Sequence, residues 1–133
     1  MDDSGRAGAF GSAEQIRVAR AAAAAAPHAA ALMDQHLGDH DELLPTMYFD
    51  ALGVWYLAAW RRRDVDREQF AQAGAVAAVL DAEFKADPQV ENAIAVGFVE
   101  MFTYLPASEQ AAAATLPPVL RAEYAAMAAW RPG

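Results

Sequence analysis

Residues 90–105, VENAIAVGFVEMFTYL, are apolar around most of the circumference of a helix. Val90, Ile94, Phe98 and Met101 share one face, and alanines and Phe102 extend the apolar surface to either side. A helix of this kind is packed by neighbours on several sides, so the stretch predicts the central helix of an all-α domain. Only a narrow stripe is left for solvent, and it comprises Asn92, Val96, Val99, Glu100 and Thr103.

Glu100 is the unexpected residue of this helix, and its role stays open. It either lies on the solvent stripe or pairs with Arg61 or Arg121, because an unpaired buried carboxylate is too costly to keep ionised. Alternatively it is a positioned acid at the edge of a groove. A lone carboxylate does not make the pair that glycosidase-type catalysis needs. Gly97, three residues earlier, weakens the helix by about 1 kcal/mol relative to alanine, which favours a close helix crossing there.

The rest of the chain also reads as helical. Abundant alanine and helix-period apolar spacing predict a compact single-domain bundle of about five to seven helices over residues 12–133, with residues 1–11 as a flexible N-terminal tail. Ser12 and Gln15 form a capping-box pattern, and Gly38 is predicted to end the second helix. Further helix starts are indicated by Pro27, Pro45, Asp66, Asp87 with Pro88, Ser108 and Pro117 with Pro118.

Charge and composition limit the class of partner. The 133 residues carry ten Lys+Arg against eighteen Asp+Glu, a net charge of −8, and no cysteine. An acidic surface repels phosphate backbones and anionic lipids, so we expect neither nucleic-acid nor membrane binding. It attracts a basic partner, although it also serves solubility alone. The lack of cysteine, of a long apolar run and of a secretory signal pattern predicts a cytoplasmic protein.

Catalytic and metal motifs are not evident. His36 and His40 are four residues apart in HLGDHDE, but the predicted helix end at Gly38 separates them, so we interpret the cluster as a solvated connector. No nucleophile–base order, P-loop or GxGxxG pattern is present. The sequence therefore predicts a protein that is not an enzyme and that has no cofactor or metal.

Two stretches carry a family resemblance: HLGDHDELLPTMYFDALGVWYL and VLDAEFKADPQVENAIAVGFVEMF. They resemble small all-α bacterial immunity proteins encoded beside polymorphic or contact-dependent toxins, whose patterns are an LLPH helix and a later N-x-I-A-V-S-F-x-E-N-L helix. Gly97 and Met101 depart from that pattern, which has serine and asparagine there. The matching residues are Leu43, Leu44, Pro45, Asp50, Asn92, Ile94, Ala95, Val96, Phe98 and Glu100.

The resemblance implies a non-catalytic cytoplasmic protein that binds a cognate toxin, itself basic, and blocks it. The predicted partner-binding residues are acids of the connectors: Asp39, Asp41, Glu42, Asp81, Glu83, Asp87 and Glu91. A second hypothesis is a small-ligand or sensor module, with a pocket of roughly 300 Å3 or more between helices. Its polar pocket or core residues are Glu100, Asn92, Tyr48 and Trp55, with Phe98 beside them. A third is a homo-oligomer that packs through the alanine-rich N-terminal helix; the oligomeric state is otherwise open.

Overall fold

The computed structural model describes residues 11–130, so most of the predicted N-terminal tail lies outside the described residues. Seven helical segments and no strand occur in this range, which confirms the predicted all-α bundle. The first four are α1 (Ala13–Ala24), α2 (Pro27–His40), α3 (Pro45–Arg61) and α4 (Arg67–Glu83). The α5 rod consists of α5 (Pro88–Ile94), a π-helical turn (Ala95–Val99) and a 3-10 turn (Glu100–Tyr104). A 3-10 helix (Ala107–Thr115) and α6 (Pro118–Trp130) complete the bundle.

Local side-chain caps begin three of the helices. The Ser12 side chain accepts a hydrogen bond from the Gln15 N–H at 3.1 Å, and the Gln15 side chain accepts one from the Ser12 N–H at 2.8 Å. This reciprocal pair is the predicted capping box. Asp66 and Asp87 cap α4 and α5 with their side chains. Each cap satisfies an N–H group that the first turn of a helix leaves without a partner.

The predicted end of the second helix at Gly38 is wrong. α2 continues through Gly38 to His40, and Asp41 ends it in the left-handed conformation with φ of 62°. The Asp41 N–H donates to the Leu37 carbonyl at 2.8 Å, which satisfies one of the last carbonyls of the helix. Aspartate tolerates this conformation better than most residues, so a glycine was not required at the helix end.

The core lies where α3 meets the α5 rod. α3 buries ten of its 17 residues, so the predicted central helix shares the centre of the bundle with it. The ring of Tyr56 meets the rings of Phe70, Phe98 and Phe102 edge-on, with centroids 5.6 to 5.9 Å apart. Such edge-to-face pairs add stabilisation beyond the buried area. The Tyr48 hydroxyl, also buried, donates to the Ala29 carbonyl at 2.7 Å and ties α2 to α3.

Gly97 marks the close crossing expected from the sequence. A Cβ atom added there would lie 2.6 Å from the Thr46 carbonyl oxygen and 3.0 Å from the Phe49 Cβ. On the facing helix, a Cβ added to Gly53 would lie 2.6 Å from the Met101 Cε. Both departures from the immunity-type pattern, Gly97 and Met101, therefore lie in the contact between α3 and the α5 rod.

The π-helical turn shifts the solvent stripe of the α5 rod. Val99 was predicted to face solvent and is fully buried, so that prediction is wrong. A π turn holds one residue more than an α turn, so the positions that follow it are rotated relative to α-helical spacing. Val96 is exposed within the π turn itself, and the half-buried Glu100 and the exposed Tyr104 take the outward positions after it.

The first and last helices differ in how deeply they pack. α1 is integrated into the core, because Val18, Ala19 and Ala22 are fully buried; the surface expected to serve a homo-oligomer is thus used within the fold. α6 buries only Leu120 completely. None of the helices between residues 11 and 130 has the length and apolar character needed to cross a bilayer.

Candidate functional site

Three of the seven predicted partner-binding acids form structural contacts within the fold. Asp81, on α4, accepts hydrogen bonds from the N–H groups of Val119 and Leu120 at 2.7 and 2.9 Å. Its carboxylate therefore caps the N-terminus of α6, where negative charge is stabilised. Asp87 is the N-cap of α5 and accepts from the Val90 N–H at 2.8 Å. Both side chains therefore stabilise helix starts within the fold, and their part in partner binding stays a prediction.

Glu83 has a third structural role. Its carboxylate lies 2.8 Å from the guanidinium of Arg17, which also contacts Glu14 on its own helix α1. The hydrogen bond from Arg17 holds the pKa of the Glu83 carboxyl below its usual range. This pair joins α1 to the end of α4. Glu83 is thus a link between helices, and its part in partner binding also stays a prediction.

The acids at the end of α2 and in its connector to α3 remain available to a partner. Asp39 and Asp41 are exposed and Glu42 is half-buried. Within residues 11–130 their side chains form no hydrogen bond or ion pair, and the same holds for the half-buried Glu91 on α5. The structure thus leaves these four of the predicted acids facing solvent without a cation.

The exposed side of α3 forms the centre of a surface that the sequence did not reveal. One edge of α3 meets Gly97 through Thr46 and Phe49, and the opposite edge borders a shallow groove of about 180 Å3 along α2. Asp50 and Val54 point outward between these edges, one turn apart. We define the α3 face by the exposed residues that this arrangement brings together on α2, α3 and the α5 rod: Asp39, Met47, Asp50, Val54 and Val96.

The α3 face combines apolar and acidic side chains. Met47, Val54 and Val96 are 49%, 57% and 50% exposed. The acids of the face have no bonded cation in the described part of the chain. Arg61, further along the same outward row of α3, is bound to Glu109 at 2.8 Å instead. Apolar area next to unneutralised charge of one sign is a composition suited to binding another protein.

The histidine pair of α2 lies beside this face. Because α2 continues through Gly38, His36 and His40 do share a helix face, with ring centroids 4.7 Å apart. His36 is buried, and its Nε2 accepts a hydrogen bond from the Leu44 N–H at 2.9 Å. Burial, assisted by the neighbouring His40, lowers the pKa of His36. No group of three or more metal-ligating side chains lies together in residues 11–130.

Glu100 occupies a second candidate site, at the edge of a groove between the α5 rod and α6. The groove has a volume of about 360 Å3 and is lined by Glu100, Thr103, Glu123, Ala126, Met127 and Trp130. Glu100 pairs with neither of the arginines proposed from the sequence, since Arg61 binds Glu109 and Arg121 donates to the Leu116 carbonyl. The Tyr104 hydroxyl donates to the Glu100 Oε2 at 3.4 Å.

The other residues predicted for a pocket near Glu100 lie elsewhere. Tyr48, Trp55 and Phe98 are buried in the core, and Asn92 is exposed on α5 outside the groove. Tyr48 and Trp55 thus take the core position that the sequence left open for them, and they do not line the groove beside Glu100. The groove takes its other wall from α6, and the signal for that wall was present in the sequence: Glu123, Met127 and Trp130 recur at helical spacing on one face.

Comparison of the chain with protein-family models, with curated proteins and with solved structures finds no match.

Proposed function

We propose that this chain is a non-catalytic binding protein of the immunity type, which captures a basic bacterial toxin domain in the cytoplasm and occludes its active site. The α3 face carries the proposal. It is a surface where half-exposed apolar side chains stand beside carboxylates that no cation neutralises within residues 11–130. The resemblance of residues 43–50 and 92–100 to immunity proteins supplies the class of partner.

The physical properties of the α3 face fit an inhibitor that must act quickly. Met47, Val54 and Val96 offer apolar area that a partner can remove from water, which is the main source of binding free energy. The acids beside them and the net charge of −8 steer a basic partner toward this surface. Such steering raises association rates by about tenfold to a thousandfold at low salt.

The test uses charge reversal on the α3 face against a matched change elsewhere. The toxin domain encoded next to this gene is titrated against the wild-type protein, the double variant Asp39→Lys/Asp50→Lys, and a control that reverses the exposed Glu68 and Asp64 outside the face. We expect the face variant to reduce the association rate constant by about tenfold or more and to flatten its salt dependence.

The control separates local from global electrostatics, since both variants change the net charge equally. If the association rate constant fell equally in the face variant and in the control variant, the overall charge of the protein, and not the α3 face, would steer the encounter. Unchanged kinetics in the face variant would remove the face from the interface. A neighbouring gene product that neither binds nor is inhibited would refute the immunity-type function itself.

A small-ligand module remains the second candidate because one observation favours it. The groove beside Glu100 has about 360 Å3, above the lower end of roughly 300 Å3 for ligand sites. However, ligand sites enclose most of their ligand, whereas this groove is open to solvent and Trp130 on its wall is exposed. The groove is therefore better suited to a side chain presented by a larger partner.

A further inference from the structure

α6 carries one large apolar side chain, that of Trp130, which the described part of the chain leaves uncovered. Leu120 is its only fully buried residue, and Trp130 near its end is 86% exposed. The two other tryptophans, Trp55 and Trp60, are buried in the core. Large exposed aromatic groups are uncommon on a monomer and are enriched where proteins bind one another. This surface is distinct from the α3 face.

The groove along α6 has a definite chemical character. Ala126, Met127 and Trp130 supply an apolar floor and wall, and Glu100 and Glu123 add a carboxylate from each of the two helices. Arg17, Arg61 and Arg121 are bonded elsewhere, and neither carboxylate forms an ion pair within residues 11–130. The groove thus complements a group that joins an apolar stem to a positive charge.

We propose that this groove holds an arginine or lysine side chain from a basic segment of the partner protein. The alkyl stem lies along Met127 and the indole of Trp130, and the cationic head reaches Glu100 and Glu123. An aromatic face and a thioether suit a cation with an apolar stem, because the ring attracts the charge while the stem leaves water.

The partner, and not a free organic cation, is the occupant because the groove adjoins the α3 face. Val96 belongs to that face, and Glu100 occupies the next outward position on the α5 rod. A protein seated on the α3 face is therefore within reach of the groove. The inference rests on the proposed function, and it names the feature of the partner that the chain would recognise.

Trp130 provides a local readout, since it is far more exposed than the other two tryptophans. Acrylamide quenching of tryptophan fluorescence is measured with the peptide acetyl-Ala-Arg-Leu-Arg-Ala-amide and with its glutamine analogue. We expect the arginine peptide to protect Trp130 from quenching and its apparent affinity to fall about tenfold or more in Glu100→Gln/Glu123→Gln. The matched variant Asp64→Asn/Glu68→Gln removes two exposed charges that lie outside both the groove and the α3 face, and it should bind the peptide like wild type.

Several results would overturn the inference. If the glutamine peptide protected Trp130 from quenching as well as the arginine peptide does, the groove would bind apolar groups without recognising their charge. Equal protection by spermidine would make it a site for a free organic cation. If Arg131→Gln exposed Trp130 to quencher in the absence of peptide, the occupant would be the end of the chain itself. No protection by the arginine peptide would reject the groove as a binding site.

The groove and the proposed function can fail separately. A toxin domain that binds wild type and Glu100→Gln/Glu123→Gln equally well would remove the groove and leave the immunity-type function standing. The opposite result is also informative. If the peptide binds in the groove but the neighbouring gene product does not bind the protein, the groove still recognises a basic segment, and the toxin is refuted as the partner.

Discussion

Gly97 offers the most direct test of how the two central helices pack. In Gly97→Ala the new Cβ would lie 2.6 Å from the Thr46 carbonyl oxygen and 3.0 Å from the Phe49 Cβ. The nearest atom belongs to the backbone of α3, so it cannot swing away as the end of a flexible side chain could. α3 and the α5 rod must therefore move apart, and the aromatic cluster around Tyr56 loses contacts.

The net effect follows from two opposing contributions. Alanine is favoured over glycine inside a helix by about 1 kcal/mol. Overpacking a tight core contact costs about 1–3 kcal/mol, and a backbone obstacle places this site toward the upper end. We therefore expect Gly97→Ala to lower the free energy of unfolding by about 2 kcal/mol.

Urea denaturation followed by far-UV circular dichroism measures the change, and other glycines of the chain supply graded controls. A Cβ at Gly38 or at Gly74 meets nothing within 4 Å, so alanine there should raise stability by up to about 1 kcal/mol. At Gly53 the obstacle is the flexible end of Met101, which predicts an intermediate result. If Gly97→Ala proved as stable as wild type, the inferred close contact between the helices would be wrong.

Two further predictions concern stability. Asp81→Ala removes the cap of α6 and should cost about 1–2 kcal/mol in the same urea assay, whereas Asp39→Ala should cost little; equal losses would contradict the capping role. The pKa of His36 is lowered in the native state, where its neutral Nε2 accepts from the Leu44 N–H. Its stabilising contribution is therefore complete above the ordinary histidine pKa of about 6.5 and is lost as the pH falls toward the lowered value. The urea midpoint of the wild-type protein should fall between pH 7.5 and roughly 5, and it should fall less in His36→Gln. If it fell as much in the variant, the loss of stability at low pH would belong to another group.

Helix starts could be predicted from the sequence because their causes are local. The Ser12–Gln15 capping box and the Asp66 and Asp87 caps each join residues three apart, so a short window contains both partners. The end of α2 was wrongly predicted at Gly38, because Asp41 takes the left-handed conformation that a glycine was expected to supply.

The candidate site was only partly predictable. Glu100 stood out in the sequence as a charge on an apolar helix, and Asp39 and Asp41, which the structure shows exposed, were predicted to be available to a partner. The bonds that withdraw Asp81 and Glu83 from the surface join residues 38 and 66 positions apart. No local pattern reveals such partners, because they become neighbours only when the helices pack.

Sequence by itself determined the all-α class, most helix starts and the acidic character of the protein, since these depend on composition and on contacts within a few residues. Tertiary structure alone decided which carboxylates are free. It brings α6 beside Glu100 to form the groove, and it places α2 and the α5 rod on the two sides of α3. The π-helical turn, which accompanies the tight contact at Gly97, turns Val99 into the core and leaves Glu100 facing outward. The physical reason is that packing between distant segments, and not local preference, selects the surface that a partner can meet.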